Sequence, residues 1–434
     1  ALSGFSTSFA QLTVARIGVG IGEASASPSA FSMLSDWFPR NKRATALAIY
    51  SSGLYLGGGV SLLIGAVVVR AWNEAYPGGG PLGLVGWQAA FLAVGIPGLL
   101  LALWVATLRE PIRGKADGLP PPPPVPDVWR RFWDDLSSVL PPLTFFHIAK
   151  LGRAALLRNI VYALVAVGVC VGMIALTGDL PQWVALATGA YAVASWAQSL
   201  RERDPPTYAL IWGTPTFLLA VVGFGSISFV GYATSFWSTP YALRTFVQPT
   251  LDAGQALPWF ATKEFIAFTL GGTGALGGFL GVVLGGTLSD VVKRRDPAGR
   301  ILVAALAAIV PAPFIVLMFT TDSLPLFLIY NVIPSIVGSC YVGIAAATSQ
   351  DLVLPRMRGA ATATYFIGTT LIGLGLGPYF AGKVATVTGS LATGSLALLV
   401  ATPVTLVCLW LVYKKLPLAE ATRIERARAA GENI

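Results

Sequence analysis

The chain has 434 residues, of which 11% are charged and 55% hydrophobic. A soluble domain carries about 25% charged residues, so this composition excludes a water-covered globular fold and the several soluble domains its length would otherwise suggest. The net charge is +9, but the basic residues sit in short loops between apolar runs, as the positive-inside rule expects, which argues against a nucleic-acid partner.

The chain opens ALSGFSTSF, with no Met, no basic n-region and no cleavage site. It reads as neither a natural start nor a signal peptide. Apolar stretches of about 20 residues then recur to the end, as bilayer-spanning helices require. They predict an all-α polytopic membrane protein with about eleven spans. The spans lie roughly at 10–36, 44–69, 86–108, 159–178, 181–200, 209–236, 264–289, 300–320, 324–349, 359–385 and 390–413.

Orientation follows from Lys and Arg. With the loop Pro39–Arg43 in the cytoplasm, alternation puts 24 of the 29 basic residues on that side. Arg70, Arg244, Lys263 and Lys383 fall outside, and Arg16 lies within a span. The asymmetry places the C-terminus in the cytoplasm and the first residue outside.

Between the third and fourth spans, residues 114–126 (GKADGLPPPPPVP) form a stiff linker of polyproline type. A spacer is a better reading than a ligand for a PxxP-binding module. DVWRRFWDDLSSVL and FFHIAKLGRAALLRN follow, each mixing Trp, Phe or Leu with Arg or Lys, which suits helices lying in the membrane interface. The spans 159–178 and 181–200 make a hairpin through the tight turn Thr177–Pro181. It holds almost no ionisable group and is expected to be peripheral packing without polar residues.

Charges inside spans are costly and usually functional. Arg16 and Glu23 stand seven residues apart in VARIGVGIGEASASP, two helical turns, so both leave one helix face. Gly18, Gly20 and Gly22 between them are expected to give close approach to a neighbouring helix. Burial would raise the carboxylate pKa and a nearby cation would lower it, the balance a proton-coupling site needs. The bland alternative has Arg16 snorkelling at the outer interface and Glu23 paired structurally. Residues 51–66 and 368–382 are glycine-rich at helix spacing, for packing or for sliding. Asp290 ends a span beside a basic cluster, where the helix dipole disfavours an anion, so Arg294, Arg295 or a neighbouring loop is expected to partner it.

Other signals fail. GPYFAGKV has P-loop spacing, but Val384 follows the lysine, and GVGIG follows no strand. His147 is the single histidine, which gives no His-rich metal site. Cys170, Cys340 and Cys408 lie in apolar runs as small packing residues. No metal or cofactor is expected.

The stretch ARIGVGIGEASASPSAFSMLSDWFPRNKRATALAIYSSG resembles the fourth helix and following loop of major facilitator transporters, within them the spinster-like branch. The Arg16-to-Ala24 context is similar to that branch's R-x(6)-G-E-A pattern. Asp36 and Arg43 resemble the family's loop pair. Gly286, Asp290, Arg294 and Arg295 resemble its second-half loop motif. Gly53, Gly57, Gly58, Gly59 and Gly65 loosely match its fifth helix, and Gln350, Arg356, Arg358, Gly359 and Gly377-Pro378 the ends of its tenth and eleventh.

The resemblance implies a major facilitator fold that begins at the end of the third helix, so three helices would precede it, and that carries an extra transmembrane hairpin. It implies the remainder of an N-terminal half over 1–113, a linker with the hairpin over 114–205, and a C-terminal six-helix half with a tail over 206–434. By resemblance, Arg16, Glu23, Tyr232, Trp237, Tyr330 and Asn331 line a substrate cavity, with Tyr55 and Tyr365 as weaker candidates. Asp36, Arg43, Gly286, Asp290, Arg294 and Arg295 latch a cytoplasmic gate. The implied activity is secondary active transport, proton-coupled, of a small organic or amphiphilic solute by a monomer in a bacterial inner membrane. Membrane lipid and H+ are the other expected partners. Two rivals stand beside it. A membrane enzyme needs an intramembrane His or carboxylate constellation that is absent here, and a non-transporting receptor or scaffold would share the fold.

Overall fold

The computed structural model describes residues 2–38, 40–112, 127–140 and 143–432, and every regular element among them is helical. The proline-rich segment 114–126 lies outside the described residues.

The helices begin and end where local chemistry dictates. Helix α1 (Phe9–Trp37) starts at Ser8, whose hydroxyl accepts from the Gln11 amide at 3.3 Å. Helix α2 (Arg40–Ala75) turns back through residues 76–85 into α3 (Gly86–Ala106), held by Trp72 Nε1 donating to the Leu84 carbonyl at 2.9 Å. Two short helices follow, α4 (Val128–Val139) and α5 (Leu143–Ala149). Helix α4 covers the first segment read as interfacial and exposes Trp129, Phe132 and Trp133, while the second is split between α5 and the start of the following helix, Arg153–Thr177.

Next come α6 (Arg153–Thr177) and α7 (Leu180–Arg203). Gly178 closes α6 at φ +78°, a left-handed C-terminal position that suits glycine, with its amide on the Ile174 carbonyl at 2.7 Å. Beyond α8 (Pro205–Ile211) lie α9 (Pro215–Ala242), α10 (Gln248–Asp252) and α11 (Lys263–Lys293). The later spans are broken. One is α12 (Arg300–Ile309) plus α13 (Pro311–Thr320), interrupted where Pro311 lacks an amide donor. Another is α14 (Leu324–Tyr330), α15 (Val332–Val337) and α16 (Tyr341–Asp351). Helix α17 (Arg358–Gly368) runs through a π-helical stretch, Thr369–Leu376, into α18 (Gly377–Thr388). The chain ends with α19 (Leu391–Ala397), α20 (Ala401–Ala421) and α21 (Arg423–Ala429).

Among the described residues, eight helical stretches are long and apolar enough to cross a membrane. About eleven spans were expected. The additional three positions are occupied by α1, α2 and α7, helices of 29, 36 and 24 residues that fall outside those eight.

The chain divides into two compact units, neither of them one continuous stretch. The first comprises Ala1–Pro122, Thr234–Thr287 and Ile309–Gly343. Its central contact is a glycine face on α11. Gly277, Gly281 and Gly285 recur every four residues and so share one side of the helix. A Cβ at Gly277 would stand 2.9 Å from Ser335 Cβ, and one at Gly281 or Gly285 would overlap the Ile336 or Cys340 carbonyl oxygen. Backbone therefore lies directly on backbone, the close approach that small residues permit in membranes. Beside this face, Gly278 abuts the Tyr55 ring of α2. Tyr241, Phe319 and Phe327 pack as a cluster with ring centroids 4.9–6.0 Å apart.

The second unit comprises Pro123–Ala233, Leu288–Ala308 and Ile344–Ile434. Here Gly368, Gly373 and Gly377 meet α9 at Val221, Ser228 and Phe229. Their spacing of five and then four residues would drift off one face of a regular α-helix. The π-helical turn, with its i→i+5 bonding, brings them back into line.

Two expectations are corrected. Hairpin α6–α7 is not free of polar groups. Asn159, fully buried, donates to Ser195 Oγ at 2.9 Å and Gln198 Oε1 at 3.1 Å, and accepts from Tyr191 OH at 2.6 Å. Gln198 donates onward to the Ala155 carbonyl at 2.6 Å. Uncharged amides and hydroxyls pass a scan for ionisable groups, yet they fix the register of two apolar helices. The second correction concerns glycine. Among the described residues, a Cβ at Gly18, Gly20, Gly53, Gly57, Gly58 or Gly65 would meet nothing within 4 Å. The close approaches lie on α11 and α17–α18 instead.

Candidate functional site

Arg16 and Glu23 occupy one face of α1, as their spacing requires, but both side chains are exposed. Neither makes an ion pair among the described residues. The expected burial is therefore not observed.

The other cavity candidates fall in both units. In the first, Asn331 is buried at the break between α14 and α15 and donates to Thr273 Oγ1 of α11 at 2.8 Å. Tyr330 and Trp237 are half-buried, and Tyr55 is held against Gly278. In the second unit, Tyr232 is 41% exposed and flanks Gly373, whereas Tyr365 is 4% exposed and packs edge-on to Phe224 with centroids 6.4 Å apart. Tyr365 lines a small apolar cavity with Phe217, Val221 and Ser349. Its surroundings are those of a packing residue, and Tyr232 is the more accessible of the two tyrosines.

The side chains of Asp36 and Arg43 lie outside the described residues. In the second-half loop, Asp290 in the last turn of α11 is exposed, as are Arg294 and Arg295, and Asp290 forms no ion pair among the described residues. The carboxylate held by this basic cluster is Asp351, at the end of α16. It accepts from Lys293 Nζ at 2.8 Å and Arg300 Nη1 at 2.6 Å, and its carbonyl accepts from Arg423 Nη1 at 2.8 Å. Arg300 is only 7% exposed, so this acid neutralises a buried cation.

A second ionic junction joins the residue before α8 to the tail. Arg356 donates to both carboxylate oxygens of Asp204 at 2.7 and 3.0 Å, and through Nε to Glu432 Oε1 at 2.6 Å. Asp204 also caps α8 through the Thr207 amide and hydroxyl. Arg426 of α21 reaches Thr214 Oγ1 and the Ala419 carbonyl. The C-terminal helix is thus tied to three loop ends of its own unit. The sequence carries one signal for this junction: Arg356 in the loop before α17, and an acid, Asp204, directly behind Arg201 and Arg203 at the end of the span 181–200. The Glu432 contact has none, being formed across 76 residues.

The Arg356 hydrogen bonds hold the Asp204 carboxyl below the usual carboxylate range, against a desolvation that opposes them and with help from the Thr207 hydroxyl and amide and, last, the Arg356 charge. A depressed folded-state pKa adds stability above the unfolded value of about 3.9, which is lost as pH falls through the lower folded value. Asp204→Asn should therefore cost about 1 kcal/mol near neutral pH, the pair being partly exposed. It should also shrink the difference in melting temperature between pH 6 and pH 3, measured by scanning fluorimetry in detergent. A variant with the wild-type acid limb would show that the junction does not contribute.

The sequence pattern of the Major Facilitator Superfamily matches residues 1–296. The chain belongs to that superfamily. Such proteins are membrane transporters, which sets the chain among transporters and not enzymes. It is 24% identical over 408 residues to an MFS-type efflux pump of Mycolicibacterium smegmatis, covering 92% of this chain and 70% of that protein. It is 21% identical over 392 residues to Protein spinster of Drosophila melanogaster, covering 88% of this chain but 48% of the relative. The chain thus spans about half the length of the fly protein. A crystal structure of a bacterial homolog to the human lysosomal transporter spinster, inward-facing and occupied, aligns with 98% of this chain and 80% of its own at TM-score 0.54 and 21% identity. The unoccupied inward-facing form gives 0.55 and 22%. At this identity the structures establish the fold alone, and that fold is the superfamily's.

Proposed function

We propose that the chain is a secondary active transporter that uses alternating access and couples transport of a small organic or amphiphilic solute to H+. Residues 1–113 and 206–434 contribute the two halves that rock about a midplane site, and 114–205 supply a linker and an inserted hairpin. The observation that carries the coupling proposal is the shared face of Arg16 and Glu23 on the 29-residue helix α1. Arg16 holds an anionic group of the substrate or a carboxylate partner, and Glu23 gains and loses the coupled proton. Tyr232, Trp237, Tyr330, Asn331 and Tyr55 supply further polar and aromatic contacts, with Tyr365 as support. Asp36, Arg43, Gly286, Asp290, Arg294 and Arg295 form the gate on the cytoplasmic side, where the C-terminus lies. The setting is a bacterial cytoplasmic membrane, and the working unit is a monomer.

The test is flux in proteoliposomes carrying the full chain, with and without an imposed pH gradient. Glu23→Gln should lower gradient-driven accumulation by about tenfold or more while leaving exchange at equal pH, the signature of a removed proton site. Accumulation that still follows the pH gradient in this variant would end the coupling assignment.

A further inference from the structure

The transport reading gives hairpin α6–α7 no task, yet the hairpin is fastened to the span whose helix is irregular. Gln182, Leu186 and Gly189 stand four and three residues apart and so share one side of α7. All three meet the π-helical stretch Thr369–Leu376. Gln182 Nε2 donates to the Gly375 carbonyl at 2.7 Å. A Cβ at Gly375 would stand 3.1 Å from Leu186 Cδ2, and one at Gly189 would stand 3.1 Å from Leu371 Cδ2. The turn before α7 is bolted to α18. Asp179 accepts from Lys383 Nζ and from Tyr379 OH, each at 2.8 Å, and Lys383 also donates to the Thr177 carbonyl. Trp183 packs edge-on to Tyr379 with centroids 5.6 Å apart.

Another side of the same stretch carries the contact with α9. A Cβ at Gly373 would come within 2.5 Å of Ser228 Cβ and 3.3 Å of Tyr232 Cδ2. Gly368 begins this contact five residues earlier, against Val221. In a regular α-helix each residue turns by about 100°. The residue returning nearest to the face of Gly368 would then be the fourth one on, Ile372, and not Gly373. An α register thus brings a branched side chain to a place where even one added carbon collides, and Tyr232 must give way. A π turn is rare and persists only where its surroundings over-determine it. Pro378 has no amide to donate into the turn before it, which weakens the competing α ladder. The Gln182 amide adds a bond to the π stretch from outside its own ladder.

We propose that the hairpin braces the π register of the α17–α18 span, with Gln182 as the positioning residue, and so holds Tyr232 in place on α9. The hairpin then acts on the substrate site without touching substrate. This deepens the transport proposal and rests on it in one respect, the assignment of Tyr232 to the cavity. Every element of the brace lies within the second compact unit.

Hydrogen-exchange mass spectrometry and fluorine NMR of the full chain in detergent test this. Gln182→Met keeps the length of the side chain and loses the donor. It should speed exchange in the peptide spanning 369–376 about tenfold, as loss of one half-buried hydrogen bond predicts, with α20 unchanged. In the fluorotyrosine-labelled protein, the Tyr232 resonance is assigned by its loss in Tyr232→Phe. That resonance should shift or broaden in Gln182→Met. Asp179→Asn weakens the outer bolt and leaves the Gln182 bond, so it should act in the same direction by about threefold. Should Gln182→Met fail to fold by circular dichroism, Asp179→Asn decides alone. Wild-type exchange at 369–376 with an unmoved Tyr232 resonance would overturn the brace. So would exchange raised evenly along the chain, the mark of a general loss of stability. If both signals respond but Tyr232→Phe leaves proteoliposome flux at the wild-type level, the cavity reading of Tyr232 fails and the brace stands.

Discussion

Replacing Asp351 with alanine should destabilise the protein by about 2–3 kcal/mol, because it strands a buried arginine. Arg300 is 7% exposed, and Asp351 Oδ2 at 2.6 Å is the carboxylate it meets. Lys293 converges on the same oxygen at 2.8 Å. Removing one partner of a buried pair costs about 3–5 kcal/mol when both ions are enclosed. Asp351 and Lys293 are each about one-third exposed, so water recovers part of that. The loss should appear as a lower melting temperature in detergent. Adding Arg300→Met should restore most of it, since the orphaned charge is then gone and the volume is kept. Asp351→Ala with wild-type stability, or a double variant no better than the single, would show that the bridge does not hold α16 to α11 and α12.

Gly281→Val should be more damaging still. A Cβ at this position overlaps the Ile336 carbonyl oxygen, and that oxygen belongs to backbone that cannot rotate away. The helices must part, and overpacking of this kind costs about 3 kcal/mol or more. The expected result is loss of monodisperse protein on size-exclusion chromatography, with Gly281→Ala intermediate. Gly286→Ala, five residues on and off that face, is the contrast. Among the described residues nothing lies within 4 Å of its added methyl, and alanine favours the helix by about 1 kcal/mol. It should be at least as stable as the wild type. If Gly286 serves the gate, its transport should fall all the same. Equal stability of Gly281→Val and Gly286→Ala would refute the close backbone contact.

Much of the architecture is legible in sequence because hydropathy acts locally. A run of apolar residues is a helix in lipid, for its amides have no other partner. The positions of α3, α6, α9 and α11 follow from that alone. The pair on α1 is readable for a similar reason, since seven residues make two turns wherever the helix sits. Its environment is not readable: burial depends on which helices pack against α1, and both side chains are exposed here. The glycine patterns show the same division. Residues 51–66 and 368–382 look alike as sequence, yet among the described residues the named glycines of the first meet nothing within 4 Å while Gly368 and Gly377 of the second lie against backbone.

The sequence by itself determined the membrane character through its composition, the helix positions through its apolar runs and the resemblance to major facilitator transporters through short motifs, because each of these rests on residues close along the chain. The tertiary structure alone decided that Asp351, and not Asp290, answers the basic cluster, and that Arg356 joins Asp204 to Glu432 across 152 and 76 residues. It alone showed that the hairpin carries a buried amide network. Ionic and amide partners are chosen by distance in space, and a cation on one helix end takes whichever carboxylate the packing brings within about 3 Å.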